Sequence, residues 1–327
     1  MKLNILCQSP VSDDISPAQA VRNTVDLAQR ADALGYHRFW VAEHHSDNAL
    51  ASGAPEVMIA AIAASTQRIR VGSGGVLLPY YSAFKVAEQF NSLAALFPGR
   101  VDLGLGRSGG SEGHAPDALG VRHPGPKAFA AIDELLSWLG TGSSRRPFAD
   151  TKAMPSVDEP AQPWILGTSP ASARFAAERG LPYAFGGFLD PRGLQSCLAA
   201  YHQHFTPGRY GDRPQVNIAW NAIIAPTEAE AKHLATTMEQ WFVATMLRRS
   251  NPRFAAPDPR HADRLAPGER MMLEMMRQIA FIGTGEQVAS QLATLQAQTH
   301  CDEITVISIP YAHSDRVHGY ELLGRAL

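Results

Sequence analysis

A (β/α)8 barrel is the fold class this sequence predicts, and three observations predict it. Eight short apolar runs alternate with helical stretches along the chain. The runs lack polar alternation, as parallel strands buried on both faces require. The length, 327 residues, suits one barrel of about 250 residues with insertions at its C-terminal mouth. Two domains of about 150 residues fit the length equally, but there is no internal repeat and no interdomain linker, so residues 1–327 read as one domain. A doubly wound open sheet is the rival, and such sheets more often carry about five to seven strands.

The elements follow in order. Leu3–Cys7 is a short apolar run and the first strand. Pro17 opens a helix with apolar Val21, Val25 and Ala28, and Gly35 stops it. Arg38–Ala42 is the second strand. Pro55 opens an Ala-rich helix, and Ile69–Gly72 begins the third strand. Ser82–Leu96 is helical and stops at Pro98-Gly99. Val101–Leu105 is the fourth strand, and Pro124–Trp138 is helical. Residues 140–163, rich in Ser, Thr, Pro and Arg, read as an excursion. Trp164–Leu166 is the fifth strand, with a helix over Pro170–Arg179. Tyr183–Phe185 is the sixth, with a helix from about Pro191 to His204. Val216–Ala225 is the seventh, with a helix over Glu228–Leu247. Residues 250–269 have no apolar period; loops this long in compact domains are usually functional or disordered. They read as a mobile lid over the mouth. Glu286–Ala297 is the last full helix, and Glu303–Ile309 the eighth strand.

Composition narrows the function. There are 29 Lys+Arg and 31 Asp+Glu, a formal net charge of −2. A nucleic-acid partner calls for a basic excess that this chain lacks. No apolar run approaches the roughly 18 residues of a membrane span, and the first residues turn polar too soon for a signal peptide. A cytoplasmic location is expected. Cys7, Cys197 and Cys301 lie far apart, which gives neither a disulfide framework nor metal-ligand spacing.

In a barrel the chemistry sits where the strands end. The second strand ends in Glu43-His44-His45, three titratable groups whose neighbours point to opposite faces. Solvated loop histidines or a general acid/base fit this run; zinc does not, without HExxH or a Cys partner. Gly72-Ser-Gly-Gly75 marks a bulge or a close backbone approach to a ligand. Gly104-x-Gly106-x-x-Gly109 formally matches a dinucleotide fingerprint, but a helical stretch, not a strand ending in an acid, stands about 20 residues beyond. What survives is a Gly-rich turn beside Arg107, which suits an anion or a surface salt bridge. Thr168-Ser169-Pro170-Ala-Ser172 opens a helix, as a phosphate site or a plain N-cap. Two anion-suited ends on consecutive strands predict one phosphate touching both. Trp40, Trp164, Phe84 and Phe90 read as core.

Several segments carry a resemblance. Trp40-Val-Ala-Glu-His-His45, Arg70-Val-Gly-Ser-Gly-Gly-Val-Leu-Leu-Pro79, Val86-Ala-Glu-Gln-Phe90 and Pro98-Gly-Arg-Val-Asp-Leu-Gly-Leu-Gly-Arg107 resemble the bacterial luciferase-like flavin monooxygenases. Ala176–Pro182 and Phe281–Val288 extend the match toward the C-terminus. The resemblance implies a TIM barrel with reduced FMN at its C-terminal mouth. It implies His44 as the catalytic histidine and Gly74-Gly75 as a non-proline cis peptide under the flavin ring. It implies Arg107 and Ser169 as phosphate ligands, with Thr168 and Ser172 nearby and Glu88 lining the same mouth. Two positions depart from the luciferases proper: Gly106 stands where they carry a reactive cysteine, and Thr168 where they carry a glutamate. The chain is more similar to the single-chain luciferase-like oxidoreductases of unassigned substrate. A monooxygenase of this kind takes O2 and a small organic substrate. With no nicotinamide fingerprint, its FMNH2 comes from a separate flavin reductase. Family members are commonly dimers, so a homodimer is expected. The alternatives are an F420-dependent reductase or dehydrogenase of the same superfamily, and a non-catalytic flavin-binding barrel.

Overall fold

The computed structural model describes residues 1–107, 114–122, 125, 127–140, 148, 150–248 and 250–327. Gly109, Pro124 and, within the 140–163 excursion, residues 141–147 and 149 lie outside the described residues. Eight parallel strands close a barrel: β1 (Lys2–Cys7), β2 (Arg38–Val41), β3 (Arg70–Leu77), β4 (Val101–Gly106), β5 (Gln162–Gly167), β6 (Tyr183–Gly186), β7 (Val216–Ile224) and β9 (Glu303–Ile307). β1 pairs with β2 and β9, and β9 pairs with β7, which pairs back to β6, so the sheet has no edge. A ninth strand, β8 (Phe281–Gly283), pairs only with the far end of β7. At three residues it is too short for periodicity to reveal.

The helices are α1 (Pro17–Ala33), α2 (Pro55–Ser65), α3 (Ala83–Leu96), α4 (Ala115–Leu119), α5 (Lys127–Trp138), α6 (Pro170–Glu178), α7 (Leu194–His204), α8 (Glu228–Phe242), α9 (Pro267–Ile279), α10 (Gly285–Thr299) and α11 (His313–Arg325). Their ends follow the punctuation in the sequence. Ser16 caps α1 by accepting from the Gln19 amide at 3.1 Å, Pro17 occupies the first turn, and Gly35 leaves it at φ +82°. The reading of Glu286–Ala297 as the last full helix is corrected by α11, whose buried face mixes Val317, Tyr320 and Leu323 with Arg316. Among the described residues no helix is long and apolar enough to cross a membrane.

The barrel interior is layered. Near the strand starts, Arg38 bridges Asp102 at 2.7 Å and Glu303 at 2.7 and 3.1 Å, with Asn4 and Arg70 completing the net. These hydrogen bonds and the Arg38 charge hold the Glu303 carboxyl well below the usual range, against its burial. Above them Trp40 donates to Asp102 at 3.0 Å and meets Trp164 edge to face at 5.3 Å. Leu6, Ala42, Leu166, Ala184 and Ile307 fill the layer toward the strand ends. Trp40, Trp164 and Phe90 are buried core, and Phe84 packs beside them against Trp138.

Residues 225–280 form the largest described insertion at the mouth. β7 leaves the barrel at Ile224, and β8 pairs beside that same end. α10 alone returns the chain to β9, so α8 and α9 both stand at the C-terminal side. The stretch 250–269 divides. Phe254 is buried in the mouth layer, with its amide on Val11 and its carbonyl on the Asp13 amide. Asn251 is held by Asn48. His261–Arg264 is a short 3-10 turn, and Pro267 already opens α9.

Candidate active site

His44 lies three residues beyond the end of β2, in which Trp40 joins the interior cluster while Phe39 and Val41 join the core toward the helices. Its backbone amide donates to the Ser52 carbonyl at 3.1 Å, and its Nε2 is buried without a partner among the described residues. Burial, with the neighbouring His45 adding to it, lowers its pKa to about 4, so the ring is neutral at physiological pH.

His45 diverges from it, as alternation predicts. Its Nε2 lies 2.7 Å from Glu43 Oε1. The Tyr81 hydroxyl and the Leu77 amide donate to the same carboxylate at 2.7 and 2.8 Å. Burial pushes the Glu43 carboxyl up, against the pull of these donors. Tyr81 and Leu77 come from another strand end, so sequence spacing gives no signal for them.

β3 runs on to Leu77, which places Gly72–Gly75 inside the strand instead of beyond it. The pairing with β4 slips between Ser73 and Val76, a bulge, and the Gly74–Gly75 peptide is cis. A Cβ on Gly74 would meet Leu6 at 2.7 Å, and one on Gly75 would meet the Gly104 carbonyl at 2.8 Å. The barrel wall therefore explains why these positions are glycine. At Gly106 a Cβ would sit 3.4 Å from Leu77, an ordinary contact, so packing does not demand glycine there.

Arg107 and Ser169 meet. Arg107, just beyond β4, places Nη2 3.3 Å from Ser169 Oγ, and its guanidinium lies 4.1 Å above the Phe129 ring. Ser169 caps α6, accepting from the Ser172 amide at 3.3 Å, and the two hydroxyls lie 3.2 Å apart. Ser169 is thus an N-cap, and its hydroxyl and that of Ser172 lie at the helix N-terminus beside the Arg107 guanidinium. Arg107 Nε is buried without a partner among the described residues, and burial pulls the arginine pKa down. An incoming anion would relieve both. Thr168 adjoins this cluster, between the end of β5 and Gly186.

Glu88 is not brought to it by any described contact. It sits on α3, paired with Lys85 at 3.3 Å, and its carbonyl accepts from Ser92. A cavity of about 340 Å3 lined by Arg70, Gly99 and Arg209 lies by the strand starts, away from these groups. Among the described residues no cluster of His, Cys, Asp or Glu could hold a metal ion.

A closed parallel barrel whose strand ends carry a neutral buried imidazole and an arginine at a helix N-terminus is a TIM barrel with its polar groups gathered at the C-terminal ends of the strands. The chain belongs to the luciferase-like monooxygenase family, whose model matches residues 1–300, and it is an oxidoreductase. It is 38% identical to YwcH of Bacillus subtilis (strain 168), covering 100% of this chain and 99% of that one. It is 33% identical to the N-acetyl-S-alkylcysteine monooxygenase of the same organism, covering 100% and 98%. The crystal structure of apo-MsnO8 superposes with a TM-score of 0.91 at 35% identity, covering 99% and 98%. The oxygenating constituent of 3,6-diketocamphane monooxygenase from the CAM plasmid of Pseudomonas putida, solved with FMN, shares the fold. Its TM-score is 0.75 at 17% identity, covering 100% and 98%.

Proposed function

We propose that this chain is a flavin-dependent monooxygenase that uses reduced FMN and O2 to oxidise a small organic substrate, with FMNH2 delivered by a separate reductase. The observation that carries the reading is the Arg107–Ser169 contact at the N-terminus of α6. Two strand ends supply a planar cation, hydroxyls and a free helix end to one point, which fits a terminal phosphate. The orphaned Arg107 Nε fits the same group. The FMN bound in the diketocamphane relative supports the choice of flavin.

Reduced FMN, when bound, supplies the electrons that activate O2. The chain does the rest. Arg107, Ser169 and Ser172 anchor the phosphate, with Thr168 beside them. The inward apolar layer of Leu6, Ala42, Leu166 and Ala184 offers a water-poor floor. His44, neutral and unpartnered at Nε2, holds or moves a proton there. Residues 250–266 act as a cover whose buried anchor is Phe254. We assign the protein to the cytoplasm. A homodimer is part of the same proposal and rests on the family resemblance alone.

The test supplies FMNH2 from NADH and a flavin reductase under 18O2, with a panel of aldehydes, ketones, thioethers and aromatics. The expected result is an organic product carrying one 18O atom. Hydrogen peroxide alone with every compound overturns the reading.

A further inference from the structure

The inference rests on the flavin-oxygenase reading and concerns what the substrate must look like. Trp241 sits in the last turn of α8, on the insertion that stands at the mouth. It borders the apolar cluster that includes the inward layer and Phe254, and its ring lies at 33° to Phe254, with centroids 5.3 Å apart. Its Nε1 is buried and has no hydrogen-bond partner among the described residues. An indole N–H can only donate, and a buried donor without an acceptor is uncommon in native proteins.

The chain's other indoles differ. Trp40 donates to Asp102 and Trp138 to Glu134. Trp164 also lacks a partner, but it is fully buried in the barrel interior beneath the Arg38 guanidinium. Trp220 lacks one too, but it stacks on Phe281 of β8, in the layer between sheet and helices. Trp241 alone among the five combines an unsatisfied donor with a partly exposed ring at the border of this apolar cluster. Leu166, Phe188 and Ala219 border the same cluster, and their side chains satisfy no polar atom.

We propose that Trp241 is a specificity-determining residue whose indole N–H donates to a neutral hydrogen-bond acceptor, a carbonyl-type oxygen, on an otherwise apolar substrate. The apolar body lies on the inward layer, and the single acceptor fixes which end faces Trp241. A donor left unpaired by an analogue lacking that oxygen disfavours the analogue, so the site selects for the oxygen as well as for shape.

The test uses full-length, flavin-free protein labelled with 15N at tryptophan. Its five indole cross-peaks are titrated with matched pairs from six to ten carbons, each a ketone and the alkene in which =CH2 replaces =O. The Trp241 peak is assigned by its loss in Trp241→Phe, or by Overhauser contacts to Phe254 should that variant fail to fold. The expected result is a downfield shift of this peak with a ketone and none with its alkene. Trp241→Phe, which keeps the ring, should weaken ketone binding about 2- to 10-fold and leave alkene binding unchanged. Equal shifts for both members, equal weakening of both, or no shift with any ketone overturns the proposal. FMN titrated into the same sample is read separately: failure of FMN to bind overturns the flavin reading, whereas a Trp241 peak unmoved in the ketone titration overturns this one.

Discussion

At the residue scale, His44 shows how burial beyond a strand end sets the charge of one side chain. It follows the last residue of β2 by three positions, and burial keeps its ring neutral. With the folded pKa near 4 against 6.5 in the unfolded chain, the unfolded state binds more protons between those values. Stability should therefore rise with pH from about 4 to 6.5 on account of His44 and level off above, and His44→Gln should flatten that limb in urea titrations. In activity, His44→Ala should bind FMN within a few-fold of wild type and lose substrate oxidation by about 10²-fold or more, the scale of a lost acid/base group. Normal turnover would reduce His44 to packing. Its position was legible, because Glu43-His44-His45 closes an apolar run. The Tyr81 and Leu77 donors to Glu43 were not, because only closure of the barrel brings β3 beside β2.

At the element scale, the insertion is fastened from below by a buried carboxylate. Glu239 on α8 accepts two hydrogen bonds from Arg277 of α9, both at 2.6 Å, and His261 lies 3.0 Å away. The Glu239 contact raises the His261 pKa, which strengthens the pairing near neutral pH. Breaking a buried pair by removing one partner costs about 3–5 kcal/mol. Glu239→Gln should fall at the low end of that range, because Arg277 is one-third exposed and keeps Glu274 at 2.6 Å. Hydrogen exchange should quicken first in α9 and the 258–266 stretch; unchanged exchange there would show that apolar packing of Leu273 and Met276 suffices. The strands of the barrel were legible as apolar runs, and helices such as α1, α3 and α6 as runs opened by Pro or Ser and closed by Gly. α9 was not, because its Met-rich face emerges from a Pro- and Arg-rich stretch, and β8 is three residues long. Both belong to the insertion, where tertiary contacts with α8 and β7 decide the structure.

At the scale of the whole molecule, a closed parallel barrel gathers the C-terminal ends of its eight barrel strands at one face, so residues far apart in sequence share one site. Arg107 follows β4 and Ser169 follows β5, 62 residues on, yet they touch because β4 and β5 are neighbours in register. That convergence was foreseeable from strand order; the orphaned Nε and the stacking on Phe129 were not, since they depend on how α5 and α6 pack. The central claim is that this meeting point holds the phosphate of FMN. A charge-assisted arginine–phosphate contact contributes about 1.5–3 kcal/mol net, and about 1.4 kcal/mol is tenfold in affinity. The most direct measurement titrates FMN and riboflavin against wild type and Arg107→Ala. The account predicts FMN binding about 10- to 100-fold weaker in the variant, with riboflavin binding both proteins almost equally. An equal loss for both flavins would contradict it, and would make Arg107 a support of the fold with the phosphate site elsewhere.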